Sequence, residues 1–298
     1  MVGPAGLGSK AHLPAPLRVV SDGGVAPVQA QPSCALDRRE PAVARPPTER
    51  AACAPNVTAP VGGATAGPAK GTFSPSVLAV ALASEPLGPG HQAVVRDQLN
   101  LLIGKYGPVD RDTALGLPRA AHYKVERLLP FNGAHSPNGL LQMSPKSHGE
   151  AVRFLTGARD RAAIAGMGSV VHEALHGHSV VGARHWGELP EASQRIDHLA
   201  IVAATQAILV REFRVDPGSI TTSVPYGVNE TIAMIARSTG LSPAAARNAL
   251  YDASLQYLGP GPNVHTGQMV ERRFIDAVSA VTGRRFDDAL RQHLAALP

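Results

Sequence analysis

The segment SVVHEALHGHS, residues 169–179, places three histidines and one glutamate within a short stretch of apolar and small residues. His172 and His176 are four positions apart, so on a helix their imidazoles lie on one face, where both can reach a single zinc ion. Glu173 then lies beside the metal, where its carboxylate can accept a proton from water. The pattern H-E-x-x-H therefore predicts a catalytic zinc site. The alternative is a histidine-rich surface segment that binds no metal.

Two further features flank this pattern. His178 follows His176 by two positions and so leaves the ligand face of the helix, which favours a solvated histidine or one that orients a ligand. Upstream, GMGSVV begins at Gly166 and has no third glycine at Val171, so it does not match a dinucleotide-binding loop. We interpret these glycines as allowing either a bend before the helix or close packing against a neighbour.

The elements that must position the motif are mainly helices. Ser74-Pro75 is typical of a helix start, and apolar residues at helical spacing follow over 91–107 and 148–157. After Pro190, the segment 191–213 predicts one long helix. A further helix is expected to begin at Asn229 as N-cap and to end at Gly240, and three more helices complete the chain.

A small sheet is expected before the motif. The segments HYKVERLLPF and GLLQMSP flank a turn-rich NGAHSPNG, which predicts a loose antiparallel β-hairpin around Leu128 to Met143. The expected fold class is α+β, with a small antiparallel sheet or hairpin followed by a mainly helical C-terminal half.

The first 72 residues have a different composition. They contain eleven of the 26 prolines and nine of the 30 glycines, but no Phe, Tyr or Trp. Such a stretch cannot bury enough apolar area to offset its ordering entropy, so we expect a disordered tail over 1–72 and one catalytic domain over 73–298. Cys34 and Cys53 both lie in this tail and are not expected to form a disulfide framework.

Charge and hydropathy exclude two classes of partner. The tail contributes seven of the 28 basic and four of the 23 acidic residues, which leaves 73–298 close to neutral and without a basic cluster, so nucleic-acid binding is not expected. The longest apolar run, Leu199 to Val210, is far short of the roughly 20 residues of a membrane span. Residues 1–20 lack a continuous apolar segment, so no cleaved secretory signal is expected.

Val170 to Gly177 resembles the signature helix of the zincin metallopeptidases. This resemblance implies that His172 and His176 ligate zinc, that Glu173 is the general base, and that an upstream edge strand, here within the predicted hairpin, holds the substrate backbone. The metzincin branch adds a glycine and a histidine at fixed distances, but Ser179 and Gly182 stand at those positions.

The third zinc ligand is less well determined by the sequence. The gluzincin branch takes a glutamate from a later helix, and NETIA, with Glu230, resembles that segment. Asp197 and His185 are the alternatives. A donor to the oxyanion is also expected. The candidates are Tyr226, Tyr251, Tyr257 and His265, whose spacing does not select among them, and we assign the role to Tyr226, four residues before Glu230. The expected cofactor is thus Zn²⁺, held by His172, His176 and Glu230.

The predicted function is zinc-dependent endopeptidase activity on a protein substrate. A long Pro/Ala/Gly-rich tail before a compact zincin-like domain resembles the layout of bacterial effector proteases delivered by type III secretion. That resemblance implies a secreted protein without a cleaved signal that cleaves a host protein. The alternative is a non-enzymatic effector or adaptor that binds a host protein, with an incidental or structural H-E-x-x-H segment.

Overall fold

The computed structural model describes residues 71–106, 122–127, 129, 132–136, 139–177, 189–220, 227–259 and 266–297. The predicted tail lies outside these residues except for its last two positions. Over the described ranges the fold is mixed α+β and mostly helical, with nine α-helices and one three-stranded sheet. No helix among them is long and apolar enough to cross a membrane.

The sheet is made of three short strands in the order β1-β3-β2. They are β1 (His122–Val125), β2 (Gly133–His135) and β3 (Leu140–Met143). The predicted hairpin is wrong in its pairing, because the two segments expected to pair antiparallel contain β1 and β3, which pair in parallel. The antiparallel pair is β2 with β3, and β2 lies inside the segment predicted to be a turn. In the chain, β2 comes between β1 and β3 and runs opposite to β3. As a result β3 runs in the same direction as β1.

One face of this sheet is buried and the other is open. Tyr123 and His135 are both paired with Leu141, so the three side chains lie in a row on one face. Tyr123 and Leu141 are almost completely buried. On the opposite face, His122 and Lys124 are exposed. The buried face therefore meets the helical layer.

The helices occupy most of the described chain. They are α1 (Pro75–Leu82), α2 (Pro89–Gly104), α3 (Pro145–Leu155), α4 (Arg161–His176), α5 (Glu191–Phe213), α6 (Val228–Thr239), α7 (Pro243–Leu258), α8 (Gly267–Thr282) and α9 (Asp287–Ala295), with a 3₁₀ turn at Pro217–Ser219. Ser74 caps α1 as predicted, since its hydroxyl accepts a hydrogen bond from the Val77 amide. The long helix predicted over 191–213 is confirmed as α5.

Helix α4 carries the H-E-x-x-H residues and is helical over its whole length. It begins after Asp160, whose carboxylate accepts hydrogen bonds from the amides of Ala162 and Ala163. A Cβ on Gly166 would lie 2.4 Å from the Cβ of Glu150 on α3. Gly166 therefore serves close packing of α3 on α4 and does not bend the chain.

The start of α6 differs from the sequence prediction by two residues. Its N-cap is Gly227 in the left-handed conformation, not Asn229, which lies exposed within the first turn. Gly240 ends the helix as predicted, also in the left-handed conformation, which glycine adopts without the steric penalty of a side chain.

Candidate metal centre

Three histidine side chains converge between α4 and α5. The Nε2 atoms of His172 and His176 are 3.1 Å apart, and those of His172 and His198 are 3.0 Å apart. One ring nitrogen from each of the three lies within 4.8 Å of the others. We call these residues the histidine triad. It is the one group of three or more possible metal ligands among the described residues.

The spacing of the triad fits a tetrahedral metal ion. Nitrogen ligands about 2.0–2.1 Å from zinc, arranged tetrahedrally, are about 3.3 Å from one another. Two of the nitrogen separations in the triad are only slightly shorter. Three imidazole ligands are also one of the ligand sets of catalytic zinc sites, which leave the fourth position open to water or substrate.

The protonation state of the triad suits metal binding. Burial, aided by the neighbouring His198, lowers the pKa of His172 to about 3. Burial lowers the pKa of His198 to about 4 and that of His176 well below its usual range. All three rings are therefore neutral near pH 7, and each has a nitrogen lone pair to offer to a cation.

The two helices position the triad through their buried faces. On α4, the neighbours Val171 and Leu175 are buried, while His172 and His176 are partly exposed on the adjoining face. On α5, His198 is partly exposed and its neighbours Asp197 and Leu199 are fully buried. Packing of α4 against α5 thus brings the third histidine to the first two.

The expected third ligand, Glu230, is elsewhere. It is exposed in the first turn of α6, and its charge acts on His293, where it opposes the larger lowering of that pKa by burial. Ala233, expected to allow α6 to approach the motif helix, is exposed as well. The structure brings His198, and not Glu230, to the two motif histidines.

Of the other two expected third ligands, Asp197 does not join the triad. Asp197 is fully buried and accepts a hydrogen bond of 2.8 Å from the Tyr257 hydroxyl. His185 lies outside the described residues, as does His178. The side chain of Asp197 points away from that of His198 because successive helical residues differ by about 100° around the axis.

Sequence reasoning missed His198, although two signals for it were present. It lies on the helix that was predicted with the correct limits, and it directly follows the aspartate that was considered as a ligand. Histidine is also an ordinary third ligand of catalytic zinc. The zincin branches that the motif resembles use a glutamate or a closely spaced histidine as third ligand, and His198 fits neither pattern.

Glu173 directly follows His172 on α4, and its side chain lies against strand β2. Burial raises the pKa of its carboxyl group to about 8. A divalent cation in the triad would favour the ionised form, since an opposite charge nearby lowers a carboxyl pKa. A carboxyl group balanced between these two effects near neutral pH is suited to accept and release a proton.

Strand β2 touches Glu173 at a residue without a side chain. A Cβ on Gly133 would lie 2.7 Å from the Cγ of Glu173 and 3.0 Å from the Sδ of Met143. These distances are shorter than carbon and sulfur contacts allow, so one of the groups must move if the position carries a side chain. Gly133 therefore sets the place of the Glu173 carboxylate.

If the zinc-peptidase activity predicted from the sequence is present, Gly133→Ala should lower peptide turnover by about 10- to 100-fold while zinc binding is kept. The added methyl group displaces the Glu173 side chain, and a shift of about 1 Å in a catalytic group can reduce the rate by about 100-fold. Steady-state turnover and zinc content, measured on the same preparation, check this.

Gly149→Ala is the matched control for this substitution. Gly149 lies on α3, and nothing is within 4 Å of the place its Cβ would occupy. Alanine should leave turnover unchanged there and stabilise the helix slightly. Equal turnover in both variants would show that Glu173 tolerates the methyl group and that the close contact has no catalytic role.

The expected oxyanion donors receive little support. Tyr226, the preferred residue, and His265 lie outside the described residues. Tyr251 is buried and donates a hydrogen bond of 3.0 Å to Gln206, and Tyr257 is buried and bonded to Asp197. Both hydroxyls are thus engaged within the core.

Comparison with known proteins adds no relative to this geometry. No family model, curated protein or solved structure matches the chain. The function is therefore argued from the site itself.

Proposed function

We propose that this protein is a zinc-dependent endopeptidase with a zincin-like catalytic domain. His172, His176 and His198 would hold the metal, and Glu173 would act as the general base. The observation that carries this proposal is the convergence of one ring nitrogen from each of three histidines, with the half-buried Glu173 beside His172 on the same helix. Three protein ligands and an adjacent carboxylate are the groups that a hydrolytic zinc site requires.

The chemistry divides between the metal and Glu173. Bound zinc supplies Lewis acidity, which favours ionisation of water and polarises a carbonyl oxygen. Glu173 takes a proton from the attacking water and later gives it to the leaving amine. Because burial raises the pKa of this carboxyl group, its ionised form is a stronger base toward the attacking water.

The sheet offers a place for the peptide backbone. Strand β2 is at the edge of the sheet, contacts α4, and pairs with β3 on its other side. Edge strands have backbone amide and carbonyl groups free to pair with an extended peptide. A peptide added to β2 would run past Glu173, which supports a polypeptide substrate over a small molecule.

The biological setting is a second part of the proposal. The Pro- and Gly-rich composition of residues 1–72 supports a bacterial protein delivered by type III secretion, whose substrate is a host protein. New protein termini in host cells given active protein, but not the Glu173→Gln form, would identify that substrate.

The proposal is tested first by metal content. Protein purified with zinc present should contain about one zinc per chain, and His172→Ala should contain much less. A degenerate fluorogenic peptide library then reports cleavage. Absence of zinc from metal-replete protein would contradict the proposal, whereas one zinc per chain without any cleavage would favour the non-enzymatic adaptor with a structural metal.

A further inference from the structure

His135, the last residue of β2, is partly exposed, but both of its ring nitrogens are buried and lack a hydrogen-bond partner. Neither ring nitrogen makes a hydrogen bond, and both are closed to solvent. Most buried polar side chains near the centre of the described fold are paired, as Tyr257 is with Asp197. An unpaired buried polar group lowers stability, because it gives up its hydrogen bonds to water without replacement. Such a group calls for an explanation, and a catalytic role is one.

The strand directs this imidazole toward the helix that carries the triad. His135 and Gly133 are two residues apart, so they face the same side of the sheet. Gly133 faces Glu173, since its Cβ would touch the Cγ of that residue. His135 therefore faces α4 as well, and it is near enough to His176 to contribute to the lowered pKa of that ring.

The surroundings of His135 would accept an apolar side chain. Its partners on the same sheet face are Leu141, directly opposite, and Met143, and both are fully buried. A leucine at position 135 would continue this apolar face and would leave no unpaired nitrogen. Histidine at this position thus lowers the stability of the free protein.

We propose that His135 is a catalytic residue that donates a hydrogen bond to the carbonyl oxygen of the bound peptide as that oxygen gains negative charge. This inference rests on the proposed peptidase function and supplies the oxyanion donor that the described tyrosines do not provide. Donors aimed at such an oxygen contribute about 10²–10³ in turnover.

The imidazole is suited to this role and not to metal binding. It is not among the nitrogens that lie within 4.8 Å of one another in the triad. A neutral imidazole carries one N–H donor, so it can bond to the oxyanion without taking up a proton. Because both nitrogens are closed to solvent, the short edge strand β2 must shift when the peptide enters. The hydrogen bond that the unpaired nitrogen gains to the peptide offsets part of the free-energy cost of that shift.

The test compares wild type, His135→Leu and His135→Gln. Turnover is measured on the best-cleaved peptide from the library. Binding is measured with a phosphinic analogue of that peptide, in which an oxygen on the tetrahedral phosphorus imitates the oxyanion. We expect His135→Leu to lower kcat by about 100-fold or more and to weaken the analogue similarly, with KM and zinc affinity little changed. His135→Gln, which retains an N–H donor, should recover part of the loss.

Thermal unfolding of the metal-free proteins separates a catalytic role from a structural one. We expect His135→Leu to unfold at the same or a higher temperature than wild type, because the unpaired imidazole is gone. Unchanged kcat in this variant would overturn the inference. So would loss of zinc, which would make His135 a ligand. If wild type itself holds no zinc and cleaves no peptide, the proposed function fails, and this inference falls with it.

Discussion

His198→Ala is expected to abolish zinc binding and peptide cleavage together. The substitution removes one of three converging nitrogens and leaves only the two motif histidines. Outer hydrogen-bond partners of metal ligands are already worth about 10- to 100-fold in affinity, so loss of a ligand should weaken zinc binding by at least about 100-fold. Competition with a chromophoric chelator, followed by zinc titration, measures this.

Two control variants make this result specific. Glu230→Gln changes the ligand expected from the sequence, and its exposed side chain should tolerate the change with wild-type zinc affinity. His91→Ala removes an exposed histidine of α2 and controls for the loss of an imidazole as such. Loss of zinc in Glu230→Gln with retention in His198→Ala would reverse the assignment of the third ligand.

Glu173→Gln is expected to lower turnover by about 100-fold or more while the protein stays folded and keeps its zinc. Glutamine preserves the shape and the contact with Gly133 but cannot accept a proton. Loss of a general base reduces rates by about 10²–10⁴. Turnover on the selected peptide, zinc content and far-ultraviolet circular dichroism of one preparation provide the three measurements.

The His172→Ala variant is the comparison that distinguishes a loss of proton transfer from a loss of metal. That variant should lose metal as well as activity, so only Glu173→Gln separates proton transfer from metal binding. Turnover equal to that of wild type in Glu173→Gln would remove Glu173 from the mechanism. Loss of zinc in the same variant would instead mean that this carboxyl group holds the metal.

The sequence was sufficient for the features that depend on local pattern. The four-residue spacing of His172 and His176 and the apolar stripe of the helix predicted their common face, and Pro190 and the apolar period predicted α5 with its observed limits. The Ser74 cap and the end of α6 at Gly240 were also correct. Each of these follows from residues that are neighbours in the chain.

The features that were missed depend on contacts between distant residues. His198 joins the triad because α4 and α5 pack together, and no local pattern encodes that approach. Strand β2 has only three residues and begins with a glycine, so its composition predicts a turn. It forms a strand because it pairs with β3. The placement of Gly133 against Glu173 likewise depends on a tertiary contact, that of β2 with α4.

The position of the triad has a consequence for how the protein would respond to chelation. His172 and His198 are 26 positions apart and belong to different helices, both with largely buried faces. A metal ion bound by both would act as a removable cross-link between them, binding the native chain and not the unfolded one. Chelation should then increase amide hydrogen exchange most in the last turn of α4 and the first turns of α5, while α7 and α8 keep their protection. The same ion would thus have both a catalytic role and a structural one, because it would hold α4 and α5 together.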